Sequence, residues 1–116
     1  MDAFTALAEP TRRHIVELLA TEGQLSSSEI ARQFPMSAPA ISQHLKVLRE
    51  ADLVQMEKQA QFRIYRVNPA AMLALEEWAR QMRQKWNGRL DSLDAFLEAH
   101  QAAESQPPDG PEKPEV

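Results

Sequence analysis

The sequence predicts a mostly α-helical fold that carries one small two-stranded β-hairpin. Three observations lead to this fold class. Residues 25–49 contain the start signals of two successive helices, and residues 53–67 are rich in strand-forming side chains. Apolar residues then recur every three or four positions over residues 69–100, which is the spacing of a helix. A chain of 116 residues has the usual length of one domain.

Two helices are predicted before the central pair. A short helix covers residues 2–8. The next helix begins at Pro10, because a proline in the first turn lacks an N–H that would have no partner there anyway. It runs to about Ala20, and Gly23 ends it.

The two central helices each begin with a recognisable cap. The Ser26 side chain can accept from the third helical N–H, and Glu29 can reach back to the Ser26 backbone, which makes a capping box. Ser37 can cap the second helix in the same way. Pro35 is expected to end the first helix, because the residue before a proline avoids the α region. A helix, a turn of about three or four residues and a second helix are typical of a DNA-reading helix-turn-helix.

A β-hairpin follows the second central helix. Asp52 tolerates the left-handed conformation that a helix exit often needs. Residues 53–58 and 61–67 are the predicted strands, and residues 59–60 lie between them. This turn lacks the Gly or Asn that favours tight hairpins. Ile64 and Tyr65 are neighbouring apolar residues in the second strand, so the pattern does not show which face of this strand points inward.

Pro69 opens a long helix that reaches about His100. Gly88 predicts a weak point or a kink in it, because Gly costs about 1 kcal/mol relative to Ala in a helix. So long a helix cannot bury its whole apolar stripe against a small body. We therefore expect part of the stripe to meet a second copy of the chain, together with the first helix. The residues expected at this dimer interface are Phe4, Leu7, Met82, Trp86, Leu90, Leu93 and Leu97.

The charge is distributed unevenly along the chain. Residues 101–116 hold one Lys and four acids, so this part supplies −3 of the net charge of −4. Its acidic, proline-rich composition predicts a disordered tail after a single DNA-binding and dimerisation domain over residues 1–100. Residues 1–68 hold eight basic and eight acidic side chains. DNA affinity would therefore come from a locally basic face rather than from a bulk positive field.

Several classes of function are disfavoured by composition. The chain has no cysteine, which excludes disulfides, thiolate metal sites and cysteine redox sensing. His14, His44 and His100 match no ligand spacing, so no metal and no other cofactor is predicted. No nucleophile signature or phosphate-binding Gly loop indicates an enzyme. No apolar run is long enough to span a bilayer and no leader is recognisable, which predicts a cytoplasmic protein without a membrane partner.

The second central helix, residues 37–50, carries the candidate DNA-reading residues. Its core face is a narrow arc of three apolar residues, and small or hydrogen-bonding residues lie opposite. Gln43 can pair bidentately with adenine, Ser42 can serve several bases or a phosphate, and Lys46 suits a phosphate. Glu50 is expected to lie beyond the DNA groove, because phosphate repels it. Polar and cationic hairpin residues can reach the DNA backbone or the neighbouring minor groove. The candidate DNA-binding residues are Ser37, Ala38, Pro39, Ser42, Gln43, Lys46, Lys58, Gln61 and Arg63.

Three segments of the chain resemble the ArsR/SmtB family of winged helix-turn-helix repressors. They are LAEPTRR at residues 7–13, ISQHLKVLR at residues 41–49, and Leu53-Val54 together with residues 65–67. The resemblance covers residues 2 to about 98. It implies a homodimer that pairs through its first and last helices, binds a double-stranded DNA operator with an inverted repeat and blocks transcription.

Three departures from the family pattern accompany this resemblance. Asp52 and Ala60 stand where the family often has Gly. The cysteine and His/Asp ligand sets of the metal-sensing members are missing, so the chain resembles the subgroup without them. The resemblance therefore implies a repressor but identifies no effector that relieves it.

Some residues keep a second interpretation. His44 falls near the core arc and is more readily a packing residue than a base contact. Arg12 and Arg13 suit phosphate contacts or an ordinary surface equally well. Trp78 and Trp86 can line a small-molecule pocket, although core or dimer packing is favoured. Two rival functions follow: a winged-helix module that binds a protein, and a repressor with an effector pocket between the long helices.

Overall fold

The structure is a computed structural model that describes residues 1–103. Residues 104–116, most of the predicted disordered tail, lie outside the described residues. The described residues fall into two compact units, Met1–Glu76 and the residues from Glu77 onward. The elements in order are α1 (Ala3–Ala8), α2 (Pro10–Glu22), β1 (Leu25–Ser26), α3 (Ser27–Ala31), α4 (Ala38–Glu50), β2 (Val54–Gln59), β3 (Phe62–Val67) and α5 (Pro69–Ala103).

Carboxylates cap the first two helices. Asp2 Oδ1 accepts from the Thr5 N–H at 2.7 Å, and Glu9 Oε1 accepts from the Arg12 N–H at 2.9 Å. These bonds satisfy amides that have no partner within the first helical turn. The same bonds lower the pKa of Asp2 and the pKa of Glu9 below their usual values. Neither cap was predicted from the sequence.

The predicted ends of α2 are close to the observed ones. Pro10 occupies its first turn. The helix extends to Glu22, slightly beyond the predicted Ala20, and Gly23 follows with a φ of 91°. The Gly23 N–H donates to the Leu19 carbonyl at 2.8 Å. A left-handed residue of this kind is a common helix exit.

The predicted capping box is confirmed at the start of α3. Ser26 Oγ accepts from the Glu29 N–H at 3.1 Å, and the Ser26 N–H donates to Glu29 Oε1 at 2.8 Å. However, Pro35 does not end this helix, which stops at Ala31. The Gln33 N–H donates to the Ile30 carbonyl at 2.9 Å, a three-residue step that tightens the last turn. Residues 32–37 therefore form a longer turn than predicted.

The hairpin is confirmed, but its turn is displaced by one residue. Gln59 pairs with Phe62, so the turn consists of Ala60 and Gln61 rather than residues 59–60. Ala60 adopts a φ of 60°, in the left-handed region that favours Gly. Asp52 likewise has a φ of 59°, as predicted for the exit of α4.

The sheet contains a third strand that the sequence analysis missed. β1 pairs antiparallel with β3, and the strand order is β1-β3-β2. β1 is too short to produce an alternating apolar pattern, which explains why it was missed. Its pairing places Leu25 opposite Tyr65 and Ser26 opposite Ile64. Tyr65 is buried and Ile64 is half-buried, which settles which side of β3 faces the core.

The core of the first unit lies where α2, α3, α4 and the sheet meet. The buried face of α4 consists of Ile41, Leu45 and Leu48, as its helical spacing predicted. The largest fully buried side chains are Ile15, Leu19, Ile30, Ile41, Leu45, Leu48 and Leu53. Because one face of α4 is held in this core, its opposite face is directed to solvent.

α5 is a continuous helix that contributes residues to both units. It does not end or break at Gly88, the position of the predicted weak point. Its first turns place Met72 and Leu75 against the core of the first unit. In the second unit the apolar stripe is largely exposed, with Trp86 61% accessible. None of the helices within residues 1–103 combines the length and the apolar character needed to cross a bilayer.

Candidate nucleic-acid interface

The exposed face of α4 and the strand β3 enclose an open groove of about 870 Å³ in the first unit. The α4 residues contribute one wall, and two β3 residues contribute the other. The groove is lined by Ala38, Pro39, Ser42, Gln43, Lys46, Arg49, Glu50, Arg63 and Tyr65. We call this surface the α4–β3 groove.

Most of the candidate DNA-binding residues meet in the α4–β3 groove. Those that line it are Ala38, Pro39, Ser42, Gln43, Lys46 and Arg63. Ser37 lies outside the lining, and its hydroxyl caps α4 by accepting from the Ala40 N–H at 3.2 Å. Lys58 and Gln61 also lie outside it, near the end of the hairpin.

Arg49, Glu50 and Tyr65 line the groove but were not among the candidates. Arg49 follows Ser42 by two helical turns and therefore shares its side of α4. Tyr65 lies two positions beyond Arg63 on β3, and alternate strand residues share a face. Both positions could have been found from these periods.

Glu50 lines the α4–β3 groove with Lys46 and Arg49. α4 continues regularly to Glu50 and places it on the same face as Gln43. The expectation that Glu50 lies beyond the DNA groove concerns the bound duplex and stays a prediction. The groove thus contains one carboxylate that can accept a hydrogen bond, for example from the amino group of cytosine.

The cations of the groove are available for anionic partners. Among the described residues, Lys46, Arg49 and Arg63 form no ion pair with another side chain. In contrast, Arg66 on the opposite face of the hairpin is bound to Glu57, with Nη2 and Oε1 2.7 Å apart. The three groove cations outnumber the single carboxylate, so this face is locally basic although residues 1–68 are neutral.

Arg12 and Arg13 serve the fold rather than the groove. Arg12 Nε donates to the Ala6 carbonyl and Arg13 Nη1 to the Leu7 carbonyl, each at 2.8 Å. Both guanidinium groups therefore satisfy carbonyls at the end of α1, where a cation is also favoured by the helix dipole. This pairing favours a structural role for the two residues over a phosphate contact.

His44 occupies the side of α4 that faces the α1–α2 junction. It is half-buried, and its Nδ1 lies 4.0 Å from Glu9 Oε1. This environment favours the packing interpretation. Within residues 1–103, no three His, Asp or Glu side chains cluster closely enough to hold a metal ion.

The second unit presents an apolar surface along α5. The residues predicted for the dimer interface include Trp86, Leu90, Leu93 and Leu97, and all four are exposed. Met82 is half-buried. In the first unit, Phe4 is exposed, whereas Leu7 packs in part against the core. Phe96 was not predicted at this interface but is also exposed, and its ring contacts the His100 ring in a tilted arrangement with centroids 4.8 Å apart.

Comparison with known proteins identifies the family. Residues 9–56 match the model described as bacterial regulatory protein, arsR family. The HTH-type transcriptional regulator Rv2034 of Mycobacterium tuberculosis is 49% identical over 73 residues, which cover 63% of this chain and 67% of that protein. The transcriptional repressor SdpR of Bacillus subtilis is 34% identical over 77 residues, which cover 66% of this chain and 84% of that protein. The chain belongs to the ArsR family.

Solved structures of ArsR-type proteins share this fold. An ArsR-like transcriptional regulator from Rhodococcus sp. RHA1 superposes with a TM-score of 0.71 at 28% identity, covering 80% of this chain and 87% of that one. A possible transcriptional regulator for arsenical resistance is 42% identical with a TM-score of 0.64, covering 83% of this chain and 96% of that one. The resemblance and the winged-helix fold predicted from the sequence are thereby confirmed. This ArsR-family chain is a DNA-binding transcriptional regulator.

Proposed function

We propose that this ArsR-family regulator is a homodimeric repressor that reads an inverted-repeat operator, with α4 in the major groove of each half-site. The α4–β3 groove is the observation that carries the proposal. It brings Ser42 and Gln43 together with three cations that have no ion-pair partner among the described residues. Hydrogen-bonding side chains flanked by free cations are the combination that base readout and phosphate binding require.

Each side chain of the groove has a distinct task in this proposal. Gln43 pairs with adenine, and Ser42 contacts a neighbouring base or phosphate. Lys46, Arg49 and Arg63 bind phosphates and set the position of α4 on the duplex. Ser37 keeps a hydroxyl proton that it can donate to a phosphate, because its oxygen acts only as the acceptor of the α4 cap. Lys58 and Gln61 contact the duplex from the hairpin.

The apolar stripe of α5 supplies the dimer. Trp86, Leu90, Leu93 and Leu97 leave a contiguous apolar surface exposed on one side of a helix. Contiguous apolar patches on soluble proteins are commonly interaction sites. A second copy of the same stripe is a suitable partner, because identical apolar helix faces can bury each other around a twofold axis. Phe4, Leu7 and Met82 complete the proposed interface.

A twofold dimer constrains the operator. Two copies of α4 related by this axis require two half-sites of opposite orientation, separated by about 34–36 Å or a multiple of that distance. The SdpR relative is named a transcriptional repressor, which supports repression as the outcome of binding. The protein would act in the cytoplasm, where its DNA target lies. The proposal requires no cofactor.

A DNA-binding measurement on the full chain tests this function. Selection from a random duplex pool supplies the operator, and a titration then compares that duplex with a scrambled duplex of equal length. We expect tighter binding to the selected inverted repeat, with two protomers bound per site. A matched control is Gln84→Ala, a substitution of an exposed α5 residue outside the groove. Equal affinity for both duplexes would contradict the proposal and favour the rival protein-binding module.

The second rival, a repressor with an effector pocket between long helices, has less support. The concavity of about 460 Å³ beside Trp86 and Leu93 is open, and it lies on the surface that we assign to the dimer. Packing against a second copy therefore explains its apolar lining without an effector.

A further inference from the structure

Phe62 is an exposed aromatic residue that the proposed function leaves unexplained. It is 48% accessible. Among the described residues, every other exposed large apolar side chain lies either within residues 1–4 or on α5. The proposed dimer surface lies on those segments. Phe62, in contrast, lies on the hairpin next to Arg63, a residue of the α4–β3 groove.

Phe62 stands at the end of the hairpin. Its partner in the register is Gln59, and this pair is the last one before the turn. The third strand, β1, pairs only with Ile64 and Tyr65, so it does not reach the final pairs of the hairpin. The end of the hairpin is thus a two-stranded ribbon, which we call the wing tip (residues 58–63).

The two faces of the wing tip differ in chemistry. Lys58 and Arg63 are directly opposite each other on one face. Like charges in this arrangement repel, and neither side chain has an acidic partner among the described residues. An anion bound at this face would relieve that repulsion. The other face presents the Phe62 ring, since successive strand residues point to opposite faces.

The minor groove of DNA offers both kinds of contact within a narrow space. Its walls are phosphates, whereas its interior is lined by sugars and base edges, and apolar side chains such as Phe enter it in several DNA-binding proteins. We propose that Phe62 enters the minor groove that flanks the site read by α4. There the ring contacts deoxyribose and base edges, while Lys58 and Arg63 bind the bordering phosphates. This inference rests on the proposed function.

The proposal gives the wing tip a source of affinity that does not depend on salt. Phosphate contacts release counterions and weaken as the salt concentration rises, whereas burial of an apolar ring does not. Such a contribution suits a DNA-binding unit in which the acidic and basic side chains of residues 1–68 are equal in number. It also predicts a preference at the flank, because the guanine amino group occupies the minor groove and hinders a ring there.

The test compares variants on the selected operator at several salt concentrations. Phe62→Ala is expected to weaken binding about tenfold without changing the salt dependence, as for other aromatic contacts to nucleic acid. Phe62→Leu is expected to retain most of the affinity. Lys58→Ala serves as the matched control and should reduce the slope of log K against log salt by about one. Unchanged binding by Phe62→Ala would overturn the inference.

A base substitution distinguishes the minor groove from other locations of the ring. Replacing flanking guanines by inosine removes the minor-groove amino group and leaves the major-groove edge unchanged. We expect the wild-type chain to bind the inosine duplex more tightly and Phe62→Ala to bind both duplexes equally. Equal wild-type affinities for the two duplexes would overturn the inference.

Two further outcomes separate this inference from the proposed function. If the wild-type chain binds no duplex better than random DNA, both fail together. If Phe62→Ala converts a dimer into a monomer in sedimentation, Phe62 belongs to the subunit interface and only the inference fails. A dimeric, folded Phe62→Ala with reduced operator affinity supports it.

Discussion

The Nδ1 atom of His44 lies 4.0 Å from Oε1 of Glu9, the same oxygen that caps α2 by accepting from the Arg12 N–H. One carboxylate thus joins the start of α2 to the helix that carries the α4–β3 groove. The bond from the Arg12 N–H is the main cause of the lowered pKa of Glu9, and His44 acts in the same direction.

The Glu9 cap predicts a loss of stability in acid. Because the pKa of Glu9 is lower in the folded state, its contribution is present above the ordinary value of 4.5 and is lost as the pH falls through the folded value. Glu9→Gln keeps an acceptor for the Arg12 N–H but removes the charge. We expect this variant to lose less stability than the wild type below about pH 4.5, as measured by urea unfolding. Identical curves for the wild type and Glu9→Gln would contradict the prediction.

Gln43 and Lys46 are expected to differ in what they contribute to DNA binding. Gln43→Ala should reduce the preference for operator over random DNA by about 1–3 kcal/mol, because it removes a base contact. Lys46→Ala should weaken all duplexes alike and reduce the salt slope by about one. Titrations on both duplexes at several salt concentrations measure these effects. Equal losses for Gln43→Ala on operator and random duplexes would refute this assignment.

The strained turn residue predicts a stabilising substitution. Ala60 has a φ of 60°, a conformation that costs a non-glycine residue roughly 1–2 kcal/mol. Ala60→Gly should therefore raise the free energy of unfolding by up to about 1 kcal/mol, after the greater chain entropy of Gly is subtracted. The matched control, Ala79→Gly in α5, should lower it by about 1 kcal/mol. The prediction fails if both substitutions destabilise the protein.

The capping box at the start of α3 is expected to contribute to the stability of the fold. Ser26→Ala removes the acceptor for the Glu29 N–H and should cost about 1 kcal/mol of stability. Ser28→Ala, at an exposed position in the same helix, should have little effect. Urea unfolding of the two variants measures the difference. Equal stabilities would show that the cap contributes nothing.

The exposed stripe of α5 predicts that dimerisation is sensitive to charge. Leu93→Asp should yield a monomer in analytical ultracentrifugation, because a carboxylate would have to be buried in an apolar interface. Gln84→Asp introduces the same charge on the opposite side of α5 and should leave the dimer intact. A dimer that survives Leu93→Asp would place the interface elsewhere.

Local signals predicted much of the fold. The spacing of Ser26 and Glu29, the caps at Ser37 and Gly23, and the apolar arc of α4 each depend on residues a few positions apart. The carboxylate cap at Glu9 was missed because glutamate is not among the preferred cap residues. The strand β1 was missed because its pairing with β3 joins residues distant in sequence.

The α4–β3 groove was predictable only in part, because it also joins residues that are distant in sequence. The helical period placed Ser42, Gln43 and Lys46 on one face of α4, and the structure keeps them there. Tertiary contact was required to bring Arg63 across from Lys46 and to complete the groove. The free charges also emerged only in the structure, since a sequence does not show that Arg66 is paired while Arg63 is not.

Tyr65 belongs to two systems at once. It is only 4% exposed, it packs in the hydrophobic core, and it lines the α4–β3 groove. A substitution there would alter the binding surface and destabilise the sheet together, whereas Ser42 and Gln43 are exposed and can change at little structural cost. During evolution, new operator preferences in this lineage should therefore arise from replacements of exposed groove residues such as Ser42 and Gln43. Tyr65 should be held constant, because selection for folding preserves it.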